Sequence, residues 1–273
     1  MSADAVEHKI PLIDTHVHLD DSRFDADRET IYRDARDSGV TNFVVPATVA
    51  SRWSIIEKLA RRFQGVHATA GLHPCFTDQH GLSDLMALER QLQLGNPVAV
   101  GECGLDGYVN RLSDDPQANW KLQHEIFVAQ LELARQFELP VIIHARNAVE
   151  AVIQLIRKHG PDKGVVHSYS GSLQQARQLI DLGYLLSFGG PVTYPRAQRL
   201  RKIVTTLPHT SLMLETDAPD QPDVNHRGER NEPAYIYNVL NTFAQLRNTN
   251  PIDIARHSNN NAIRLFQRSR ESR

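Results

Sequence analysis

Residues 13–20, IDTHVHLD, decide how the rest of the chain is interpreted. The apolar run at 10–13 predicts a buried strand that leads directly into Asp14, His16 and His18. Alternate residues of a strand share a face, so we expect these three side chains to point the same way. Three polar groups at the end of a buried strand form either a metal site or a polar strand edge, and the remaining strands must distinguish these.

Composition and charge limit the class of protein. The chain has 273 residues, 41% of them hydrophobic and 23% charged, and a formal net charge of −2. These values predict a soluble protein with a full core and exclude a protein that coats polyanions with a basic face. The two cysteines form no disulfide framework, and the polar N-terminus has no apolar signal core. We therefore expect a cytoplasmic protein without a membrane segment.

Eight short apolar runs alternate with amphipathic segments. They are rich in Val, Ile and Leu and do not alternate with polar residues, which is typical of parallel strands buried on both faces. The predicted strands are residues 10–18, 40–48, 66–74, 97–106, 140–146, 164–171, 184–190 and 211–219. Predicted helices cover 25–39, 51–63, 115–139, 172–183, 195–206, 230–247 and 251–268.

This alternation predicts an α/β fold, a (β/α)8 TIM-type barrel that forms a single domain over 1–273. A doubly wound open sheet is the alternative, but the glycine-rich phosphate loop that usually follows its first strand is missing here.

Polar side chains follow the predicted strands at their carboxyl ends, where barrel enzymes place their active sites. They are His16 and His18 (strand 1), His73 (strand 3), Glu102 and Asp106 (strand 4), His144 and Arg146 (strand 5), His167 (strand 6), and Glu215 and Asp217 (strand 8). A lone histidine at a strand end is usually structural. Because the pattern repeats on several strands, we predict a metal site at this rim.

The predicted ligands are imidazoles and carboxylates without a thiolate, which suits Zn, Mn or Mg. They are His16, His18, Glu102, His144, His167 and Asp217. One catalytic ion takes about three protein ligands, so six groups predict two divalent cations per subunit. Glu102 is the expected bridge, since its strand lies between those that carry the other ligands.

At these residues the chain resembles the TatD family of metal-dependent hydrolases, most closely its YjjV branch. The resemblance extends from Ile13 to about Phe266. It is carried by IDTHVHLD, GLHP, VGECGLD, LPVIIHAR, VVHSYSGSLQQA, LSFGGPVTYPRA and LMLETDAPDQP. The resemblance implies one metal on His16, His18, Glu102 and Asp217 and a second on Glu102, His144 and His167. Departures from the family pattern are Cys75, Ser168-Tyr169 and Asp220-Gln221, which leave the substrate open.

The predicted reaction is attack of a metal-activated water on an ester, foremost a phosphoester, with Glu102 and Asp217 as catalytic residues. Asp217 is the candidate general base. His73, Arg146 and Arg196 are candidate substrate-binding residues. The alternative for His73 is a structural rim histidine, and for Arg146 a salt bridge on the rim.

The leading hypothesis is therefore a TatD-type phosphodiesterase or deoxyribonuclease, acting on a small-molecule or nucleic acid phosphoester. A small-molecule amidohydrolase or carboxylic ester hydrolase is the alternative, followed by a metal-binding protein without turnover. The sequence leaves the oligomeric state open, and a monomer is compatible with it.

Overall fold

The computed structural model describes residues 10–267. Within them the strands are β1 (Leu12–Asp14), β2 (Val40–Val45), β3 (Val66–Ala68), β4 (Val100–Asp106), β5 (Val141–Arg146), β6 (Gly164–Val166), β7 (Tyr184–Phe188) and β8 (Leu212–Leu214). The helices are α1 (Arg28–Ser38), α2 (Ala50–Arg62), α3 (Ser83–Leu94), α4 (Gly107–Leu112), α5 (Pro116–Gln136), α6 (Val149–His159), α7 (Leu173–Asp181), α8 (Gln198–Thr206), α9 (Ile236–Arg247) and α10 (Pro251–Phe266). None of these helices is long and apolar enough to cross a membrane.

The strands run parallel and in chain order, β1-β2-β3 and β4-β5-β6-β7-β8. A parallel bridge between Ala70 and Val100 joins β3 to β4. At the other seam, the Thr15 amide donates to the Leu214 carbonyl at 3.3 Å, which joins β8 to β1. Both seams are closed, so the predicted TIM-type barrel is confirmed and the open sheet is excluded.

Two apolar layers hold the barrel together. The larger lies between the strands and the surrounding helices and includes Phe43, Phe127 and Phe188. The smaller fills the inside of the barrel and contains Ile13, Val44, Ala99, Ile142, Val165, Leu185, Met213, Ala262 and Leu265. Ala262 and Leu265 come from α10, which closes one end, so polar groups are left to the other end.

The helix starts follow from local capping chemistry. Ser172 and Gln175 form a capping box at the start of α7. Asp115 caps α5, with Pro116 in its first turn.

Some element predictions need correction. The strands are shorter than predicted, and β1 already ends at Asp14. The helix predicted from 230 begins at Ile236. Helices α3, α4 and α6 were not predicted, and α4 is only six residues long. In α3 the exposed Met86 and Leu94 blur the apolar stripe, and α6 is rich in the β-branched residues that favour strands. The ends of the predicted single domain, and the end of the helix predicted to reach 268, lie outside the described residues.

Candidate metal centre

Strand alternation places the predicted ligands directly above the interior apolar layer. Ile142 lies in that layer, and His144 follows two residues later on the same strand face. In the same way His167 follows Val165, and Glu215 follows Met213. The buried layer therefore ends, on several strands at once, in a ring of imidazole and carboxylate groups.

The Glu102 carboxylate is the centre of this ring. It is 1% exposed, and both of its oxygens face histidines. Oε1 lies 2.8 Å from His167 Nε2 and 3.1 Å from His144 Nδ1. Oε2 lies 3.1 Å from His16 Nε2 and 3.7 Å from His18 Nε2. One carboxylate thus contacts ligands from both halves of the barrel, as expected of a bridging group.

Asp217 completes the ring beside strand β1. Its Oδ1 lies 3.6 Å from His16 Nε2 and 3.5 Å from His18 Nε2. The backbones are joined as well, because the Asp217 amide donates to the His16 carbonyl at 2.9 Å. Asp14 strengthens this junction by accepting hydrogen bonds from the Thr216 amide and hydroxyl at 3.0 and 2.6 Å. All six predicted ligands therefore meet at one place.

The donor set fits divalent cations. Both ring nitrogens of the fully buried His16 lack a hydrogen-bond partner, as does Nδ1 of His167. Their rings stack at a centroid separation of 3.8 Å, an arrangement that positive charge on both rings would oppose. Among the described residues, three groups have the spacing of a metal site: His16, His18 and Asp217; His16, Glu102 and His167; and His73, Cys75 and His144. The first two together include five of the six predicted ligands.

His73 belongs to the ring in a different way. Its Nδ1 accepts a hydrogen bond from the Cys75 amide at 3.0 Å, so in the neutral ring the proton lies on Nε2. Nε2 lies 2.9 Å from Glu102 Oε1 and donates to it. Burial lowers the pKa of His73 to about 4, although the charge of Glu102 opposes the shift. A neutral His73 therefore holds the carboxylate at the centre.

Asp106 holds His144 from the opposite side. Its Oδ2 lies 2.8 Å from His144 Nε2, which directs Nδ1 of the same ring towards Glu102. Oδ1 accepts the amides of Tyr108 and Val109 and so caps α4. Burial raises the pKa of Asp106, but the hydrogen bonds from His144, the Val109 amide and Cys75, together with the charge of His144, outweigh burial and lower the pKa well below its usual range.

Gly104 explains why the motif VGECGLD needs its second glycine. Its φ of 135° is one that L side chains rarely adopt. A Cβ built there would lie 2.1 Å from the His144 carbonyl oxygen. The absence of a side chain lets β4 approach β5 closely, and this approach brings Glu102 and His144 together.

The comparisons with known proteins agree with this geometry. The family model described as TatD related DNase matches residues 13–267. This chain belongs to the TatD family. The protein YjjV of Escherichia coli K12, named an uncharacterized metal-dependent hydrolase, is 39% identical over 93% of this chain and 97% of its own. YabD of Bacillus subtilis, described in the same words, is 32% identical over 94% of this chain and 99% of its own.

Solved structures show the same relationship. The crystal structure of Escherichia coli YjjV, a TatD homologue, matches with a TM-score of 0.88 and 38% identity, covering 94% of this chain and 98% of that chain. A TatD-family hydrolase from Entamoeba histolytica has a TM-score of 0.79 at 20% identity, over 95% of this chain and 99% of its own, a likeness of fold alone. The family resemblance is therefore confirmed, and with it the general class of metal-dependent hydrolase.

In this TatD-family protein the ring forms the floor of a cavity of about 830 Å³. Arg23, Arg52 and Arg146 line it. Asp21 and Asp220 pair with Arg23, and Asp20 pairs with Arg52. Among the described residues Arg146 has no ion pair, and its guanidinium lies 4.0 Å from the centre of the Tyr108 ring. It is thus the lining cation that remains available to a ligand.

Arg196 lies outside this cavity. It is exposed and lies 5.6 Å from the centre of the Tyr194 ring, and it is not among the described residues that line the cavity. His73 and Arg146 do line the cavity. The structure therefore brings together two of the three residues predicted to bind substrate.

Sequence reasoning missed the roles of Tyr108, Ser168 and Gln221. Tyr108 lies beneath Arg146, whereas Ser168 and Gln221 make hydrogen bonds beside Asp217. A signal was present for the last two, because both are positions where the chain departs from the family pattern.

Proposed function

We propose that this protein is a divalent-metal-dependent phosphoesterase, a phosphodiesterase or deoxyribonuclease of the TatD type. The observation that carries the proposal is the convergence of four histidines on the buried Glu102 carboxylate, with Asp217 beside two of them. His16, His18 and Asp217 would hold one cation, His144 and His167 the other, and Glu102 would contact both. Bound there, a pair of cations supplies a water of lowered pKa and positive charge for the developing oxyanion.

Asp217 is the candidate proton acceptor, because it lies in the ring and is ionised. Burial raises its pKa, but the hydrogen bond from His18 and the neighbouring imidazoles outweigh burial and lower it to about 2. The carboxylate is therefore ionised at neutral pH and can take the proton of a water that attacks phosphorus. Attack breaks the bond from phosphorus to the leaving oxygen and yields an alcohol and a phosphate monoester.

Arg146 favours an anionic substrate. Its guanidinium has no carboxylate partner among the described residues, so it can form two parallel hydrogen bonds to a phosphate. Tyr108 holds it from behind through a cation–π contact. His73 binds no substrate atom in this scheme and instead fixes the orientation of Glu102.

The charge of the rim favours a short substrate. Asp20, Asp21 and Asp220 pair with Arg52 and Arg23 and so occupy two of the three lining arginines, and the net charge of −2 adds no basic face for a long phosphate backbone. The same rim keeps a second candidate open, in which the site hydrolyses the C–N or carboxylic ester bond of a small molecule.

A substrate panel tests the proposal. The purified protein, with Mn, Mg or Zn added, is assayed on bis(4-nitrophenyl) phosphate, a short single-stranded DNA, an anilide and a lactone. We expect metal-dependent cleavage of the phosphodiester and its loss in Glu102→Ala. Cleavage of the anilide or lactone alone would favour the second candidate. Tight metal binding without turnover on any substrate would indicate a binding protein.

We also propose that the protein is cytoplasmic. Cys75 and Cys103 are both free thiols in the structure, which agrees with a reducing cytoplasm.

A further inference from the structure

A chain of hydrogen bonds leads from Ser168 to the outer oxygen of Asp217. The Ser168 hydroxyl donates to Gln221 Oε1 at 2.8 Å. The Gln221 side-chain amide in turn donates to Asp217 Oδ2. Asp217 Oδ1 faces His16 and His18, so the two oxygens of this carboxylate have separate tasks.

The orientation of the Gln221 side-chain amide follows from its two hydrogen-bond partners. A carboxylate accepts hydrogen bonds and cannot donate them, so the NH2 group of Gln221 must face Asp217. Its carbonyl oxygen then faces Ser168, whose hydroxyl supplies the matching proton. The reversed amide would bring an oxygen against the Asp217 carboxylate and would lose that hydrogen bond.

The backbone around the chain is unusually constrained. Ser168, Asp217 and Gln221 have φ values of 42°, 59° and 51°, a region that side chains other than glycine seldom occupy. Residues in this region are strained, and they cluster at functional sites. The buried Asn231 holds the loop through hydrogen bonds to the carbonyls of Thr216 and Asp220 at 2.9 and 2.8 Å.

At its other end, this series of hydrogen bonds reaches the segment that carries His167. Ser168 directly follows His167, and its amide donates to Glu215 Oε1 at 2.7 Å. Gln221 thus connects the segment that carries His167 to the carboxylate of Asp217. Because an amide is neutral, it orients the carboxylate without cancelling the negative charge that a cation requires.

We propose that Gln221, anchored by Ser168, is a positioning residue that fixes the rotation of the Asp217 carboxylate so that Oδ1 faces the metal centre. The catalytic part of this inference rests on the proposed function, while the part that concerns metal binding does not. Ser168 and Gln221 are both positions at which the chain departs from the family pattern.

The test uses the full-length protein and two readouts, the affinity for Mn²⁺ and the kinetics on bis(4-nitrophenyl) phosphate. Gln221→Met preserves length and removes both hydrogen bonds. We expect the Kd for Mn²⁺ to rise and kcat to fall, each by roughly 10-fold or more, with KM within about twofold. Gln221→Glu places a second carboxylate against Asp217, so we expect a larger loss of Mn²⁺ affinity and of kcat. The matched control is Gln154→Met, a glutamine exposed on α6, which should leave both readouts unchanged.

Ser168→Ala provides a second and milder test. It removes one neutral hydrogen bond, so we expect a loss of roughly fivefold in Mn²⁺ affinity and kcat. In the Gln221→Met background the same change should have no further effect, because its partner is already gone. Additive losses would overturn the proposed chain.

Two further results would overturn the proposal. One is a Gln221→Met variant with the metal affinity and kcat of the wild type. The other is an effect confined to KM, which would assign Gln221 to the substrate. If the wild type cleaves no phosphoester, the proposed function fails, and the Mn²⁺ titrations alone decide the positioning role. Thermal unfolding of each metal-free variant excludes a folding defect, and if Gln221→Met does not fold, Ser168→Ala decides.

Discussion

His73 Nε2 donates a hydrogen bond of 2.9 Å to Glu102 Oε1, the oxygen that also faces His144 and His167. Since Nδ1 of the same ring accepts the Cys75 amide, the proton on Nε2 is held in place by the backbone. The His73 imidazole therefore supports the Glu102 carboxylate and has no free nitrogen for a metal ion.

His73→Phe keeps an aromatic side chain at this position and removes the Nε2 donor. We expect metal affinity and kcat to fall by roughly 10- to 100-fold, because support of a bridging ligand is lost while the ligand itself remains. Isothermal titration with Mn²⁺ and kinetics on bis(4-nitrophenyl) phosphate provide the two readouts. His67→Phe is the control, since His67 is a half-buried histidine on β3 whose ring nitrogen contacts Asn42, outside the cavity. Equal losses in both variants would contradict the role assigned to His73.

Metal removal should lower stability. Without cations, carboxylates and imidazoles face one another with buried nitrogens unpartnered. A ligand that binds only the folded state adds about 2.7 kcal/mol to the free energy of unfolding at about 100 times its Kd. We therefore expect Mn²⁺ or Zn²⁺ to raise the Tm of the EDTA-treated protein by several degrees, as measured by calorimetry.

The same titration of Glu102→Ala serves as the control for specific binding. That variant should show little or no increase in Tm. An equal increase in both proteins would place the bound ion elsewhere on the molecule.

Arg146→Ala should separate anionic from neutral substrates. Loss of the unpaired guanidinium removes hydrogen bonds to a charged group, each worth about 1.5–3 kcal/mol, so we expect KM for a phosphodiester to rise at least about 10-fold. Hydrolysis of a neutral lactone or anilide, if present, should change little. Arg146→Lys should recover part of the loss, because lysine keeps the charge without the planar fork.

Two further arginines complete that experiment. Arg90→Ala on α3 is the control, since Arg90 is exposed and lies outside the cavity lining. Arg196→Ala tests the role predicted from sequence, and a rise in KM comparable to that of Arg146→Ala would support it. An unchanged KM in Arg146→Ala would contradict the proposed phosphate contact.

The convergence of the six predicted ligands could be foreseen from the sequence because two simple rules act together. Strand alternation places His144 above Ile142 and His167 above Val165, and the barrel gathers all strand ends at one rim. The roles of Tyr108 and Gln221 escaped prediction because they depend on contacts with Arg146 and Asp217 that no residue pattern shows. The role of His73 depended on a backbone hydrogen bond from Cys75, which no residue pattern shows. Helix α3 was missed for a similar reason, since its exposed apolar residues hide the buried stripe.

Gly104→Ala tests how the barrel brings Glu102 and His144 together. A Cβ there would meet the His144 carbonyl oxygen at 2.1 Å, and the φ of 135° is strained for alanine. We expect the free energy of unfolding to fall by at least about 1–3 kcal/mol, as measured by urea denaturation. Metal affinity should fall as well, because β5 must shift to relieve the contact. The matched control is Gly81→Ala, where nothing lies within 4 Å of the added atom, so its stability should stay within about 0.5 kcal/mol of the wild type. A Gly104→Ala variant as stable as this control would show that β4 and β5 tolerate a wider separation than their close contact implies.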